Sequence, residues 1–351
     1  MRFVTLVLLL LCLLLAVLSC GSGDDDDDND DDSELTPILN WAALTNPILS
    51  REDRMLKDQA VVYRNGYFYI FASQRFDDDD PQADGKKKMF YRTPDFTNYE
   101  TFQDPDLPNG VGSPDVSYHD GVYYMVYQYP VDNYVGDEDA FRRLFLTTST
   151  DLIDWTPPQE LAPWLHRNDR TIDGALGFVN GYFFLGYKRG QMFYVSRSLN
   201  KQLDGQWLPG IYAAPGGLFD WAENYQFIKI DGVWHMVATS KDELLSEGGG
   251  NEYTAGHAPY IYQVSGNGET LAEWSRWTNK RRLEVPQENW NQMMYANCGF
   301  LCDWREYDGY FYLFYAGAND SVSFQGRGHG KIGVARSRDL ITWKVAGDTS
   351  E

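Results

Sequence analysis

Apolar, aromatic-rich runs recur along the chain, and five of them open directly after a polar residue and a glycine. They read Asn65-Gly66-Tyr67-Phe68-Tyr69, Asp120-Gly121-Val122-Tyr123-Tyr124, Asn180-Gly181-Tyr182-Phe183-Phe184, Asp231-Gly232-Val233-Trp234-His235 and Asp308-Gly309-Tyr310-Phe311-Tyr312. Asn-Gly and Asp-Gly supply the positive φ angles of a tight type I′ turn, so each copy predicts a hairpin. Apolar residues also precede the turns, as in Ala60-Val61-Val62-Tyr63 and Phe227-Ile228-Lys229-Ile230, which makes each copy two antiparallel strands. Helical periodicity holds nowhere over a useful length.

A second signature follows three of the hairpins: Thr93-Pro94-Asp95-Phe96-Thr97-Asn98-Tyr99, Ser149-Thr150-Asp151-Leu152-Ile153-Asp154-Trp155 and Ser337-Arg338-Asp339-Leu340-Ile341-Thr342-Trp343, with looser versions ending at Trp207 and at Trp274 or Trp277. A strand-like segment such as Leu144-Phe145-Leu146-Thr147-Thr148 runs before each, so one unit holds three or four strands. The turn glycines are 51 to 77 residues apart, too irregular for a short-period solenoid and suited to blades with variable loops. Five units fill the chain after Glu34, and the expectation is an all-β chain folded as one five-bladed β-propeller. The alternative, a β-sandwich, has no blade-sized repeat.

The N-terminal residues break this pattern. Arg2, the apolar run Phe3 to Leu18, then Ser19 and Cys20 have the layout of a secretory signal. Val17-Leu18-Ser19-Cys20 resembles a bacterial lipobox, so residues 1–20 are expected to be a lipoprotein signal peptide with Cys20 as the lipidated residue; plain secretion and a retained anchor are the alternatives. Residues 21–35, rich in aspartate, bury nothing and repel one another, which predicts a disordered tether. A calcium loop there lacks the turn glycine and the closing glutamate. Residues 36–351 then hold the folded domain. This layout predicts a bacterial cell-envelope location, as an outer-membrane lipoprotein facing the periplasm or the cell surface, which meets the membrane through its lipid alone.

Composition narrows the partners. The chain has 51 acidic and 30 basic residues and a net charge of −21, which speaks against nucleic acid, because phosphate affinity comes from lysine and arginine. Aromatic residues make up 15% of it, a supply that serves a β-rich core or sugar rings equally. Apart from Cys12 and Cys20, the cysteines are Cys298 and Cys302. Four positions apart on an extended strand they would stand about 13 Å from each other, too far for a disulfide, and buried thiols are expected. No third or fourth ligand nearby completes a zinc site.

In a propeller the first strand of each blade lines a central channel. Counted back from the turn glycines, those strands open at Asp58, Asp115, Asp173 and Glu223, and in the fifth unit at Cys302 or Asp303. Carboxylates converging without a nucleophile triad fit acid and base work on a glycosidic bond. The chain has no Gly-x-Ser-x-Gly elbow, Walker loop or His-Glu-x-x-His motif. Trp221, Trp290, Tyr225 and Tyr295 lie near blade openings, where rings either stack on sugars or fill the core.

Lys57-Asp58 before Val61-Val62-Tyr63-Arg64-Asn65-Gly66, Ser113-Pro114-Asp115-Val116, Thr171-Ile172-Asp173-Gly174 and Ala222-Glu223-Asn224-Tyr225-Gln226 resemble the blade openings of five-bladed glycoside hydrolases, families 62 and 43, over about residues 55 to 345. The resemblance implies an α-L-arabinofuranosidase or β-xylosidase type of enzyme: an exo-acting, inverting hydrolase that releases a terminal pentose such as α-L-arabinofuranose from a polysaccharide or oligosaccharide. It gives Asp58 the role of general base, Asp173 that of tuning and orienting the acid, and Glu223 that of general acid. Asp115 and Tyr225 would contact sugar, and Lys57 would help keep Asp58 ionised. Those families commonly place a histidine at the start of the fifth blade, near a central calcium or water; here the stretch reads Ala296-Asn297-Cys298-Gly299-Phe300. No cofactor is required, and a structural calcium in the channel stays open. Family 117 uses a histidine as acid, which makes His257 and His329 candidates for substrate contact. The rival readings are a non-catalytic glycan-binding propeller and a scaffold.

Overall fold

The structure is a computed structural model that describes residues 37–75, 89–103, 107, 111–130, 142–166, 170–213, 222–241, 257–292, 294–319 and 330–350. The expected signal and tether, Cys20, Trp221 and His329 lie outside the described residues.

Each sheet is an antiparallel four-stranded meander. The first holds β1 (Met55–Arg64), β2 (Tyr67–Arg75), β3 (Phe90–Thr93) and β4 (Glu100–Phe102), and the second β5 (Gly112–His119), β6 (Val122–Pro130), β7 (Arg142–Ser149) and β8 (Gln159–Glu160). The third holds β9 (Thr171–Val179), β10 (Tyr182–Arg189), β11 (Met192–Arg197) and β12 (Ile211–Tyr212), and the fourth β13 (Ala222–Ile230), β14 (Val233–Lys241), β15 (His257–Val264) and β16 (Trp277–Arg282). The fifth holds β17 (Met294–Asp303), β18 (Phe311–Ala318), β19 (Lys331–Ser337) and β20 (Lys344–Val345). The first strands β1, β5, β9, β13 and β17 touch one another in turn, and β1 touches β17, so the five sheets are the blades of a closed propeller. Ahead of β1, Leu49 and Ile332 exchange backbone hydrogen bonds of 3.2 and 2.9 Å, and the Asn46 side chain bonds both the N–H and the carbonyl of Val334. The segment before the first blade is thereby tied to the third strand of the last.

Four of the five predicted hairpins are present with both turn residues in the left-handed region: Asn65 and Gly66 at φ 51° and 80°, Asp120 and Gly121 at 47° and 84°, Asn180 and Gly181 at 52° and 79°, and Asp231 and Gly232 at 48° and 82°. The fifth is different. Asp308 ends a one-turn helix, α3 (Arg305–Asp308), and Gly309 caps it at φ 80° with its N–H donating to the Arg305 carbonyl. β17 and β18 are therefore joined by Trp304 to Tyr310 rather than by a two-residue turn. The other described helices are the equally short α1 (Pro163–His166) and α2 (Leu271–Trp274) and a 3-10 turn at Trp41–Ala43.

The second sequence signature is the device that ends the third strand. Ser149 Oγ accepts from the N–H groups of Asp151 and Leu152 at 3.1 and 2.8 Å, and Asp151 Oδ1 accepts from those of Ile153 and Asp154 at 2.9 Å each. Thr93 with Asp95 and Ser337 with Asp339 repeat the arrangement, with Phe96, Leu152 and Leu340 at positive φ. Side chains replace ladder partners where the strand stops. Trp155 and Trp343 then fold into the core. Between the third and fourth blades Trp274 is fully buried, stacked on Phe184 at 4.6 Å and edge-on to Phe227 at 4.7 Å. The two ends of the channel differ in chemistry: the hairpin end is lined by Val61, Tyr63, Tyr118, Phe178, Trp234 and Trp304, and the acidic residues gather at the other.

Candidate active site

Every first strand carries one residue in the left-handed region where its pairing with the second strand slips: Asp58 (φ 51°), Ser113 (42°), Asp173 (54°), Asn224 (54°) and Cys298 (55°). Such a bulge re-aims a side chain, and five of them around a ring place five side chains at one depth. In four blades the bulged residue stands eight positions before the turn glycine, at 66, 121, 181 and 232. Asp58 and Asp173 share this phase, Glu223 sits one residue before it, and Asp115 two residues after. The fifth blade keeps the bulge at Cys298, whereas counting from Gly309 points to Cys302 or Asp303 because the helical connection is longer.

The bulges surround a small cavity lined by Asp58, Ser113, Asp173, Asn224 and Cys298, with Asp115 beneath them. The Asp58 carboxylate is held by one oxygen: Oδ1 accepts from Asn224 Nδ2 at 3.0 Å and from the Cys298 thiol at 2.8 Å, and Lys57 Nζ lies 3.7 Å away. Burial pulls the Lys57 ammonium down, but the negative charges around it, Asp58 first and then Glu223 and Asp173, outweigh it and hold the group above its usual range. Asp173 is 3% exposed, its N–H donates to Gln128 Oε1 at 2.9 Å, and its Oδ2 is buried without a hydrogen-bond partner. Burial first, then the negative charges of Glu223 and Asp58, push its carboxyl up to about 6 against the opposing pull of Lys188.

Glu223 carries an ion pair that the sequence reading missed. Lys188 reaches from β10 of the third blade, its side chain 5% exposed, and its Nζ donates to Glu223 Oε2 at 3.0 Å. A lysine directly after the apolar run Tyr182 to Tyr187 was the available signal. Asn224 and Cys298 were missed too; the constant eight-residue offset pointed to the first of them.

Three of the expected substrate contacts sit deeper than the bulged residues or away from them. Asp115 lies below the bulges, 4% exposed, with Oδ2 accepting from the Leu176 N–H at 3.4 Å, and burial pushes its carboxyl up to about 8. Two residues past the bulge, it lines the floor of the same cavity, while Ser113 holds the bulge position in the second blade. Tyr225 borders the cavity too, but it is 3% exposed, its ring packs on Phe193 at 4.2 Å and its hydroxyl donates to the Ala222 carbonyl. His257 opens β15, a third strand, is buried, and does not line the cavity. Tyr295 is likewise a core ring under Arg282, and Trp290 stacks on Tyr315 at 5.7 Å. Among the described residues, no three His, Cys, Asp or Glu side chains are arranged as a set of metal ligands, and the fifth-blade bulge offers a thiol already donating to Asp58.

No protein-family model matches the chain, and no curated protein matches it by sequence. Solved structures do match. A thermostable family-43 glycoside hydrolase superposes with a TM-score of 0.55 at 14% identity, over 88% of this chain and 97% of that one. An α-L-arabinofuranosidase from Podospora anserina, solved in complex with cellotriose, gives 0.55 at 12% identity over 88% and 96%. A glycosyl hydrolase from Bacteroides ovatus gives 0.58 at 17% identity over 90% and 97%. With its five closed meanders and these matches, the chain has the five-bladed β-propeller fold found in solved glycoside hydrolases of this architecture.

Proposed function

We propose that the protein is a glycoside hydrolase acting on a polysaccharide or oligosaccharide, with its site at the bulged mouth of the channel. The observation that carries the reading is the field shared by Asp58, Asp173 and Glu223, in which the charges of the other two raise the buried Asp173. Carboxylates in one field separate into proton-holding and proton-accepting roles. The fold likeness supports the same class.

In this reading Asp58 takes a proton from water and Glu223 gives one to the leaving oxygen. Asp173 holds a proton up to about pH 6 beside Glu223, and so keeps the acid side of the site supplied. A water between base and sugar gives inversion at the anomeric carbon, which needs the two carboxyls about 6.5 to 9.5 Å apart. The proposed substrate end is a terminal pentose, with α-L-arabinofuranose first, and the protein is proposed to be held at the cell envelope by a lipid on Cys20. A screen for monosaccharides released from a panel of plant and algal polysaccharides tests the class: a released pentose supports it, and no release from any member speaks against it. One observation favours the non-catalytic glycan-binding alternative. Glu223 Oε2 is engaged by Lys188 Nζ at 3.0 Å, a contact that suits holding a ligand as well as it suits proton transfer.

A further inference from the structure

The bulged residues of the fourth and fifth blades meet that of the first. Asn224 Nδ2 and the Cys298 thiol both end on Asp58 Oδ1, at 3.0 and 2.8 Å, and the Cys298 sulfur is 3.3 Å from Asn224 Oδ1. Every described hydrogen bond to the Asp58 side chain thus falls on one oxygen. Cys298 is itself fixed from both sides of the ring. Its N–H donates to Thr239 Oγ1 of the fourth blade at 2.8 Å, and its carbonyl accepts from Gln59 Nε2 of the first blade at 2.5 Å. The backbone there is at φ 55°, a region that asparagine and aspartate visit readily but that costs most other side chains about 1–2 kcal/mol. Such a conformation persists where its surroundings over-determine it, and it clusters at functional sites.

We infer that Asn224 and Cys298 are positioning residues that clamp Asp58 by Oδ1, so that Oδ2 alone is presented to the attacking water. The inference rests on the proposed hydrolase reading, in which Asp58 is the base. A carboxylate free to turn about its bond to Cβ divides its time between orientations, and small misplacements of a reacting group cost up to about a hundredfold in rate. Two donors from two blades remove that freedom. The thiol suits the task because it stays protonated and able to donate: burial raises it, and Asp58 raises it further against the pull of Lys57. No bond to sulfur forms or breaks.

The test is turnover of para-nitrophenyl α-L-arabinofuranoside by the purified full chain, with thermal unfolding of each variant. Cys298→Ala should lower kcat about tenfold to a hundredfold with KM unchanged, because the clamp acts on the base and not on the sugar. Cys298→Ser, which keeps a donor, should restore kcat to within about fivefold of the parent. Asn224→Asp tolerates the left-handed backbone but replaces a donor with a second carboxylate, and should lose as much as Cys298→Ala. Equal losses in Cys298→Ala and Cys298→Ser, tracking their unfolding temperatures, would overturn the clamp and leave a packing role. So would unchanged kcat in Cys298→Ala and Asn224→Asp while Asp58→Asn is inactive. Full activity in Asp58→Asn, on this probe or on whichever para-nitrophenyl pentoside the parent cleaves, would instead remove the base assignment and the clamp with it.

Discussion

Asp115 gives the sharpest physical test of the channel. Its carboxyl is buried beneath the bulges with one backbone N–H for company, and burial lifts it from the ordinary carboxylate range to about 8. The folded protein therefore binds this proton more tightly than the unfolded chain does. The stability that the proton confers is fully present below about pH 4 and is lost as the pH rises through about 8. Each pH unit in that window is worth about 1.4 kcal/mol, so by about pH 7 the cost is on the order of 4 kcal/mol, a large part of a typical 5–15 kcal/mol total. Asp115→Asn keeps the shape and an acceptor for the Leu176 N–H, and removes the titration. Because burial raises the group and that N–H opposes it, with no neighbouring charge involved, the difference between variant and parent isolates one group. Urea unfolding from about pH 4 to pH 8 should find the two within about 1 kcal/mol at the acid end. The variant should then gain about 1.4 kcal/mol per unit. A difference that stays flat with pH, or a variant less stable throughout, would refute the argument and imply that Asp115 is charged and paired in the folded protein.

Asp173, raised to about 6, should lose its proton as the pH climbs through that value, and kcat/KM should fall with it; a pH profile should show this limb in the parent and not in Asp173→Asn. A Cβ at Gly177 would overlap the Trp274 ring between the third and fourth blades, so Gly177→Ala should cost about 1–3 kcal/mol in chemical unfolding. Cys20→Ser should shift the protein from the membrane fraction to the soluble one with activity unchanged; unaltered fractionation and N-terminal mass would sink the lipid anchor.

What the sequence disclosed follows from where the information is local. Asn-Gly and Asp-Gly fix their own backbone, so four blade hairpins and the five-bladed class were legible from dipeptides and spacing. Asp308-Gly309 looked the same and is not, because Gly309 caps α3; whether a glycine at positive φ closes a hairpin or a helix depends on how far the preceding strand runs. That difference moved the fifth blade out of phase and hid Cys298. Asp58 and Asp173 stand at the bulges because an offset of eight residues from the turn holds in their blades, whereas Asp115, two residues past the Ser113 bulge, lies deeper in the same cavity. Lys188 escaped because its partner, Glu223, lies on another blade, and pairing across blades leaves no mark in a single strand. Tyr225 shows the limit of composition: one ring near a blade opening both packs on Phe193 between blades and borders the cavity, and residue type alone does not separate the two uses.

The central claim, that Asp58 and Glu223 act as base and acid on a glycosidic bond, is met most directly by proton NMR of the first sugar released from an arabinofuranosyl oligosaccharide, with Asp58→Asn and Glu223→Gln run beside the parent. The account predicts a product of inverted anomeric configuration and turnover lower by about a hundredfold or more in both variants, with Glu223→Gln partly spared on an aryl glycoside whose leaving group needs little protonation. A product of retained configuration, or parental turnover in both variants, would contradict it.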